Sequence, residues 1–378
     1  MAGVYVHIPF CTSKCLYCDF YSAGARIADW NALEDALITE FKSRLNELGP
    51  DPKIDTIYFG GGTPSLMPIK NLSNVLKAIL AFCNPIEITL EVNPDDVDIQ
   101  IASQWKELGF NRISIGIQSF DDSELKAVGR RHSAQQAIDA YNCLRNYFNN
   151  ISIDLIYDIP GQTDDTWLYN LETVCKLKPE HISAYNMMYE QGTALTLLRD
   201  TGKILNADET QIVRWFEQLI GTLSAAGYEH YEISNFAVPG FRSIHNSHYW
   251  DHTPYLGIGP SAHSFDGKLI RRSNPPDIKS YLKYYNTFSH IDSTPFYSQE
   301  ILNKTEILEE TIMLKLRTKE GIDLSEFEKQ FGTESLNTLL VKGREAIRRG
   351  SLIHTSDNHL SISENAILLS DLLILSLI

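Results

Sequence analysis

Positive charge is what this sequence has least of. Its 378 residues carry 33 Lys and Arg against 48 Asp and Glu, a formal net charge of −15. Coating a nucleic acid needs clustered cations to neutralise phosphates, so no nucleic-acid partner is expected. No apolar run reaches the ~18 residues of a membrane span. The opening MAGVYVHIPF lacks a charged stretch followed by a long apolar one, so no secretory signal is read there and a cytoplasmic location is expected. Cysteine is scarce, six residues in all, and in a reducing compartment these are expected to stay free of disulfides. Hydrophobic residues nevertheless make up 43%, which excludes a disordered chain. The length is about two and a half times the ~150-residue domain prior, which suggests one large domain and a smaller one.

Six runs rich in Val, Ile and Tyr predict strands at 4–8, 55–59, 87–92, 112–118, 152–157 and 181–186. Helical periodicity fills the intervals at 32–48, 69–82, 98–108, 134–148 and 166–177, and a further helix spans 208–226. Alternating strand and helix calls for an α/β fold with a parallel sheet and right-handed crossovers. Periodicity leaves two forms open, a partly closed barrel of six βα units and an open doubly wound sheet. Residues 236–300 read as a connecting segment. The stretch 301–378 predicts a small helical domain ending in a two-stranded wing at 351–353 and 359–362. Residues 301–350 hold nine Lys or Arg and nine Asp or Glu, so this wing implies packing or covering rather than DNA reading.

Polar residues and glycines recur at the strand ends. Cys11, Cys15 and Cys18 follow the first strand; Gly60, Gly61, Gly62 and Thr63 follow the second; Glu91, Gln118 and Asp154 belong to the next three. In βα barrels that rim is where ligands bind. Three thiols on one short loop lack a fourth Cys or His at a zinc-finger spacing. Iron–sulfur clusters are held by such loops, and three thiolates leave one iron of a four-iron cluster open. The x3 then x2 spacing, with Tyr17 before the third cysteine, is the signature of radical S-adenosylmethionine enzymes. The open iron could chelate the amino and carboxylate groups of S-adenosylmethionine. Glu91, Gln118 and Asp154 could accept or donate hydrogen bonds to it, and Arg130 could pair its carboxylate. Cys83, Cys143 and Cys175 stand alone in helical segments and are expected to be small core residues.

Longer runs carry a family resemblance. Tyr5-Val-His-Ile-Pro-Phe-Cys11, Cys15-Leu-Tyr-Cys18-Asp-Phe20, Phe59-Gly-Gly-Gly-Thr-Pro64, Asn111-Arg-Ile-Ser-Ile-Gly-Ile-Gln118-Ser-Phe120 and Ile153-Asp154-Leu-Ile-Tyr157 together resemble the HemN/HemW branch of the radical S-adenosylmethionine superfamily. The resemblance implies an incomplete parallel (β/α)6 barrel at 1–235, a connecting segment at 236–300 and a smaller HemN-like domain at 301–378. It implies that Cys11, Cys15 and Cys18 ligate a [4Fe–4S] cluster. It also implies that Tyr5, Tyr17, Gly61, Gly62, Thr63 and Glu91 line the S-adenosylmethionine site. Gln118, Arg130, Asp154 and Met188 match the place of a second S-adenosylmethionine in HemN-type enzymes, with His263 near the first.

The branch holds two functions, oxidative decarboxylation of coproporphyrinogen III and haem chaperoning. Three features resemble the chaperones. Phe20 stands where the decarboxylases have a further cysteine. Only four residues precede Tyr5, where those enzymes have a long segment. His245-Asn246-Ser-His248-Tyr249-Trp250 matches the chaperones' HNxxYW motif. His245, Asn246, Tyr249 and Trp250 are therefore candidate haem contacts, since His ligates haem iron and Tyr and Trp offer flat apolar faces. His248 is a spare ligand, and His7 a candidate hydrogen-bond donor to the cluster. The partners implied are haem, haem-acceptor proteins, with the membrane surface as one place of transfer, and an electron donor. The oligomeric state is left open.

Overall fold

The computed structural model describes residues 1–287 and 295–378. Strand β1 (Ala2–Ile8) leads into two short segments, β2 (Phe10–Cys11) and β3 (Ala23–Gly24), which pair in parallel and pinch off the cysteine loop. Strands β4 (Ile54–Gly61), β5 (Glu87–Val92), β6 (Arg112–Gln118), β7 (Ile151–Tyr157) and β8 (His181–Asn186) then line up beside β1 in chain order, all parallel. Helices α1 (Trp30–Arg44), α2 (Ile69–Leu80), α3 (Ile99–Leu108), α4 (Asp122–Ala127), α5 (Ala134–Arg145) and α6 (Asp164–Leu177) occupy the crossovers. Their starts are marked by capping side chains, among them Asp29, Asp98, Ser133 and Thr163. Neighbouring helices touch in sequence, α1 with α2, α2 with α3 and α3 with α5. They therefore share one face, as in a barrel wall and unlike a doubly wound sheet.

Strand alternation divides the residues between two environments. Val4, Val6, Ile57, Phe59, Ile113, Ile115, Ile151 and Ile153 are fully buried against the helices. The alternate positions turn inward and are polar: Thr56, Glu87, Thr89, Arg112, Ser114, Ser152 and His181 are also buried. Some of them bond across strands, as Ser152 Oγ does with His181 Nδ1 at 2.7 Å. The sheet does not close. After α7 (Ala194–Asp200) and α8 (Glu209–Ala225), the hairpin β9 (Glu229–Glu232) and β10 (Asn235–Ala237) forms one antiparallel edge beyond β8.

Residues 236–300, read from the sequence as a connecting segment, continue the sheet. After α9 (Ile244–Trp250), β11 (Tyr255–Ile258) pairs in parallel with β1. Strands β12 (His263–Phe265), β13 (Ile270–Ser273) and β14 (Ser298–Ile301) follow antiparallel, with α10 (Ile278–Asn286) packed on α1. These strands are three or four residues long, too short for a period to show. The C-terminal body contains α11 (Lys304–Lys315), β15 (Ile322–Asp323), α12 (Leu324–Phe331), α13 (Thr333–Arg349), β16 (Leu352–His354), β17 (His359–Ile362) and α14 (Ser370–Leu377). Its wing has a third strand, β15, on β17. Arg271 with Glu310, and Arg242 with both Glu229 and Glu320, tie this body to the barrel.

One buried carboxylate fixes the added strands. Glu40 of α1, wholly inaccessible, accepts hydrogen bonds from Arg44 (2.6 Å), Gly259 N (2.8 Å), Asn274 (2.7 Å), Tyr281 (2.7 Å) and Tyr285 (3.2 Å). Removing one partner of a buried pair strands the other charge. Glu40→Ala is expected to cost roughly 3–5 kcal/mol in chemical denaturation, and Tyr281→Phe about 1 kcal/mol. A loss below about 1 kcal/mol for Glu40→Ala would show that water replaces these contacts.

Candidate functional site

The C-terminal ends of the parallel strands open into a cavity of about 410 Å³. Cys11, Cys15, Tyr17 and Cys18 line it from the loop after β1, and Gly61, Gly62 and Thr63 from the end of β4. Glu91, Gln118, Arg130, Asp154 and Met188 complete the expected set. Twelve residues singled out in the sequence thus share one cavity. Tyr5 and His263 do not; they line a smaller cleft that shares Asp19 and Phe20 with the cavity.

The loop is held from both flanks. Leu16 donates its N–H to Val128 O (3.1 Å) and accepts at its own carbonyl from Leu195 N (2.8 Å). All three cysteines are free thiols and half-buried. Thr63 Oγ1 donates to Cys11 Sγ (3.4 Å) and Arg130 Nη1 to Cys15 Sγ (3.5 Å). Burial pushes the Cys18 thiol up to about 11, with the neighbouring cysteines adding to the effect. Among the described residues no three His, Cys, Asp or Glu side chains converge tightly enough to hold a metal ion. The donor set is nonetheless the one iron–sulfur clusters use: three unbonded thiols on one loop, facing open space.

Two carboxylates face the same space from below. Glu91 accepts from Tyr58 OH (2.8 Å) and Gly61 N (3.2 Å), and burial pushes it up to about 7. Asp154 accepts from Ser114 Oγ (3.2 Å), and burial pushes it up to about 6. Gly61 has φ +107°, and a Cβ there would come within 2.6 Å of the His7 ring, so only glycine permits this turn. Gln118 ends β6 at φ 73°, beyond an irregularity in its pairing with β7. A non-glycine residue in that region is strained, and such strain gathers at binding sites. Arg130 is more committed than the sequence implied. Its Nη2 already donates to Asn93 (2.7 Å) and Gly116 O (2.5 Å). Asn93 also donates to Thr63 (3.2 Å), which makes it a positioning residue that the sequence reading missed. Its signal was its place directly after β5.

The HNxxYW residues do not converge on one pocket. His245 is buried, with Nδ1 bonded to Thr56 Oγ1 (2.8 Å) and Nε2 to Tyr249 OH (3.0 Å). Its ring stacks on Tyr58, which stacks on Tyr5. Burial pushes its pKa down to about 3. Neither nitrogen of His245, a candidate haem contact in the sequence, is open to a haem iron in this geometry. Its neighbour Asn246 is half-buried on α9. Tyr249 lines the cleft with Tyr5 and His263, whereas Trp250 lines a separate recess against the C-terminal body. His248 is buried beside Asp55 (3.5 Å), and both nitrogens of His7 are engaged, by Tyr5 OH (3.3 Å) and Tyr21 O (3.0 Å).

The raised carboxylates oppose stability and binding. Glu91 binds its proton more tightly in the fold than in the unfolded chain. The folded state therefore holds more protons between the ordinary carboxylate range and about 7, and stability falls as pH rises through that window. A ligand hydroxyl donating to Glu91 needs the ionised form and gains over the same window. Glu91→Gln is expected to raise the thermal midpoint of the ligand-free protein at pH 8 and to weaken S-adenosylmethionine binding there. A lower midpoint at pH 8 would contradict the burial cost.

Comparison with known proteins agrees with this geometry. Residues 5–174 match the Radical SAM superfamily model and residues 302–369 the HemN C-terminal domain. The heme chaperone HemW of Lactococcus lactis is 36% identical over 333 residues, 87% of this chain and 85% of its own. The heme chaperone HemW of Bacillus subtilis is 30% identical over 376 residues, 98% and 97% of the two chains. The structure of coproporphyrinogen III oxidase (HemN) from Escherichia coli superposes with a TM-score of 0.83 at 22% identity, covering 100% of this chain and 89% of that one, and so shares the fold. Cysteine loop, open parallel barrel, C-terminal body and relatives agree: this chain belongs to the HemW family of the radical SAM superfamily.

Proposed function

We propose that this protein is a haem chaperone that carries a [4Fe–4S] cluster on Cys11, Cys15 and Cys18, binds S-adenosylmethionine in the barrel cavity and passes haem to acceptor proteins. The observation that carries the reading is the pairing of near full-length relatives named heme chaperones with a three-thiol loop facing the cavity. When bound, the cluster supplies the electron that cleaves the sulfonium bond of S-adenosylmethionine. This chain's residues bind and orient. Glu91 and Asp154 are acceptors for ligand hydroxyls, Gly61 and Gly62 admit the ligand close to backbone, and Thr63 and Arg130 donate to the sulfurs. Phe20, 62% exposed, stands two residues beyond Cys18 and offers the rim an apolar face rather than a fourth thiol.

Decarboxylation of coproporphyrinogen III is the other chemistry in this branch. Anaerobic reconstitution is expected to give about four irons per chain, with Cys15→Ala losing them. Wild type should then hold haem through gel filtration with its Soret band intact and should form no protoporphyrinogen. Protoporphyrinogen produced by the pure protein would overturn the chaperone reading. Stoichiometric zinc without a brown chromophore would overturn the cluster assignment.

A further inference from the structure

We propose that Tyr231, His181 and Ser152 form a proton relay joining Asp154 of the barrel cavity to the recess under the C-terminal body. The inference rests on the reading of the cavity as the S-adenosylmethionine site. It gives this chain a way to discharge a carboxyl that the ligand has covered. The recess has a volume of about 570 Å³, and Tyr231, Arg242, Trp250 and Lys315 are among its walls. Glu320 and Glu326 also line it and are exposed, so water reaches it.

Between the two cavities the barrel interior is closed to solvent. Ser152, His181, Ser183 and Tyr231 are each at most 3% exposed. Strands β7 and β8 pair Ser152 with His181 and Asp154 with Ser183, which sets these side chains in a row on the inward face. From β9, Tyr231 OH meets His181 Nε2 at 2.7 Å. His181 Nδ1 meets Ser152 Oγ at 2.7 Å. Ser152 and Ser183, 3.5 Å apart, both bond the Asp154 carboxyl. Tyr231 also accepts from Ser243 N–H (3.3 Å), which fixes the phenol at the end of the row.

Satisfied polar groups in a core need no further role. This row differs in what stands at its ends, a buried carboxyl that titrates near pH 6 and a recess open to water. Each member between them both donates and accepts. With Asp154 protonated, its O–H donates to Ser152, Ser152 to His181 Nδ1, His181 Nε2–H to Tyr231, and the phenol to water. Discharge breaks the Asp154 O–H bond and forms hydronium in the recess. Each member gives up one proton and gains one, and the imidazole ends as its Nδ1–H tautomer. Every hydrogen bond then points toward the carboxylate. Burial and Arg112 hold His181 well below its usual pKa, so it stays neutral and exchanges tautomers rather than trapping the proton. The charge of Asp154 is felt by Tyr17, Tyr58, Glu91 and Tyr185, and Arg112 opposes the burial that keeps it protonated. A ligand hydroxyl that donates to Asp154 needs the ionised form, so binding near pH 6 expels a proton beneath the ligand.

The test mixes full-length, cluster-reconstituted protein with saturating S-adenosylmethionine at about pH 6, anaerobically and in weak buffer. Stopped-flow absorbance of the cluster reports binding, and an indicator dye reports released protons. In wild type the two signals should rise together. In His181→Gln and Tyr231→Phe, binding should keep its wild-type rate and the proton yield should be unchanged. One proton phase should lag by roughly tenfold, the rate equivalent of one lost hydrogen bond. Asp154→Asn should lack that phase. A purely structural loss would slow binding and release together, and that result would count against the relay. Release as fast as binding in folded Tyr231→Phe would overturn it. No absorbance change with S-adenosylmethionine in wild type would overturn the cavity reading, and the relay with it.

Discussion

A strand whose inward face is polar is buried at a cost that falls with each inward group that finds a partner. That constraint organises this molecule. Glu87 and Arg112 lie at the starts of β5 and β6, almost wholly inaccessible, where an uncompensated charge costs several kcal/mol. Glu87 is compensated by a helix. Its two oxygens accept from Ile244 N (3.0 Å) and His245 N (2.9 Å), the first turn of α9, where the helix dipole also favours a negative charge. Thr56 then receives the His245 imidazole, and Gly3 leaves room for that ring, since a Cβ there would come within 3.1 Å of it. The strand starts are thereby largely filled with polar contacts made inside the chain, with Thr89 Oγ1 and Arg112 Nε and Nη1 left without hydrogen-bond partners among the described residues. The strand ends are left to the cavity, where burial keeps the pKa values of Glu91 and Asp154 raised against the opposing pull of Arg112.

The cysteine loop separates two recesses of different character. The barrel side is larger and carries ionisable groups, which suits a charged, hydroxylated ligand. The outer side is smaller and is lined by Tyr5, Phe20, Tyr249 and Tyr255 together with His7, Asp19 and His263. Tyr5 joins the two environments: its ring stacks on Tyr58, whose hydroxyl holds Glu91, and its own hydroxyl meets His7. A change in one recess can therefore reach the other through a few packed rings.

Much of this was legible in the sequence. The six parallel strands and their helices follow from period and glycine placement, and α8 falls within a residue of its expected bounds at each end. The cavity residues were legible because chemistry-bearing residues sit at strand ends, and strand ends of parallel units meet. The strands between 255 and 301 were not, because β11 to β14 are short and their apolar residues are spaced by turns rather than by a period. The fate of His245 was hidden for another reason. A motif names which residues stand together in sequence, and α9 points them in different directions: His245 into the barrel, Tyr249 to the cleft, Trp250 toward the C-terminal body. The polar ladder of Thr56, Thr89, Ser114 and Ser152 was readable as strict alternation. Its meaning depended on knowing which face is inside.

The central claim is that the three thiols facing the barrel cavity are the ligands of a four-iron cluster placed beside the carboxylates of that cavity. Anaerobic iron and sulfide reconstitution of wild type and of Cys15→Ala, with S-adenosylmethionine then titrated into each, tests it most directly. The account predicts about four irons per chain and a cluster spectrum that shifts with S-adenosylmethionine in wild type, both lost in Cys15→Ala. A Cys15→Ala protein that keeps its iron and its response to S-adenosylmethionine would contradict the account.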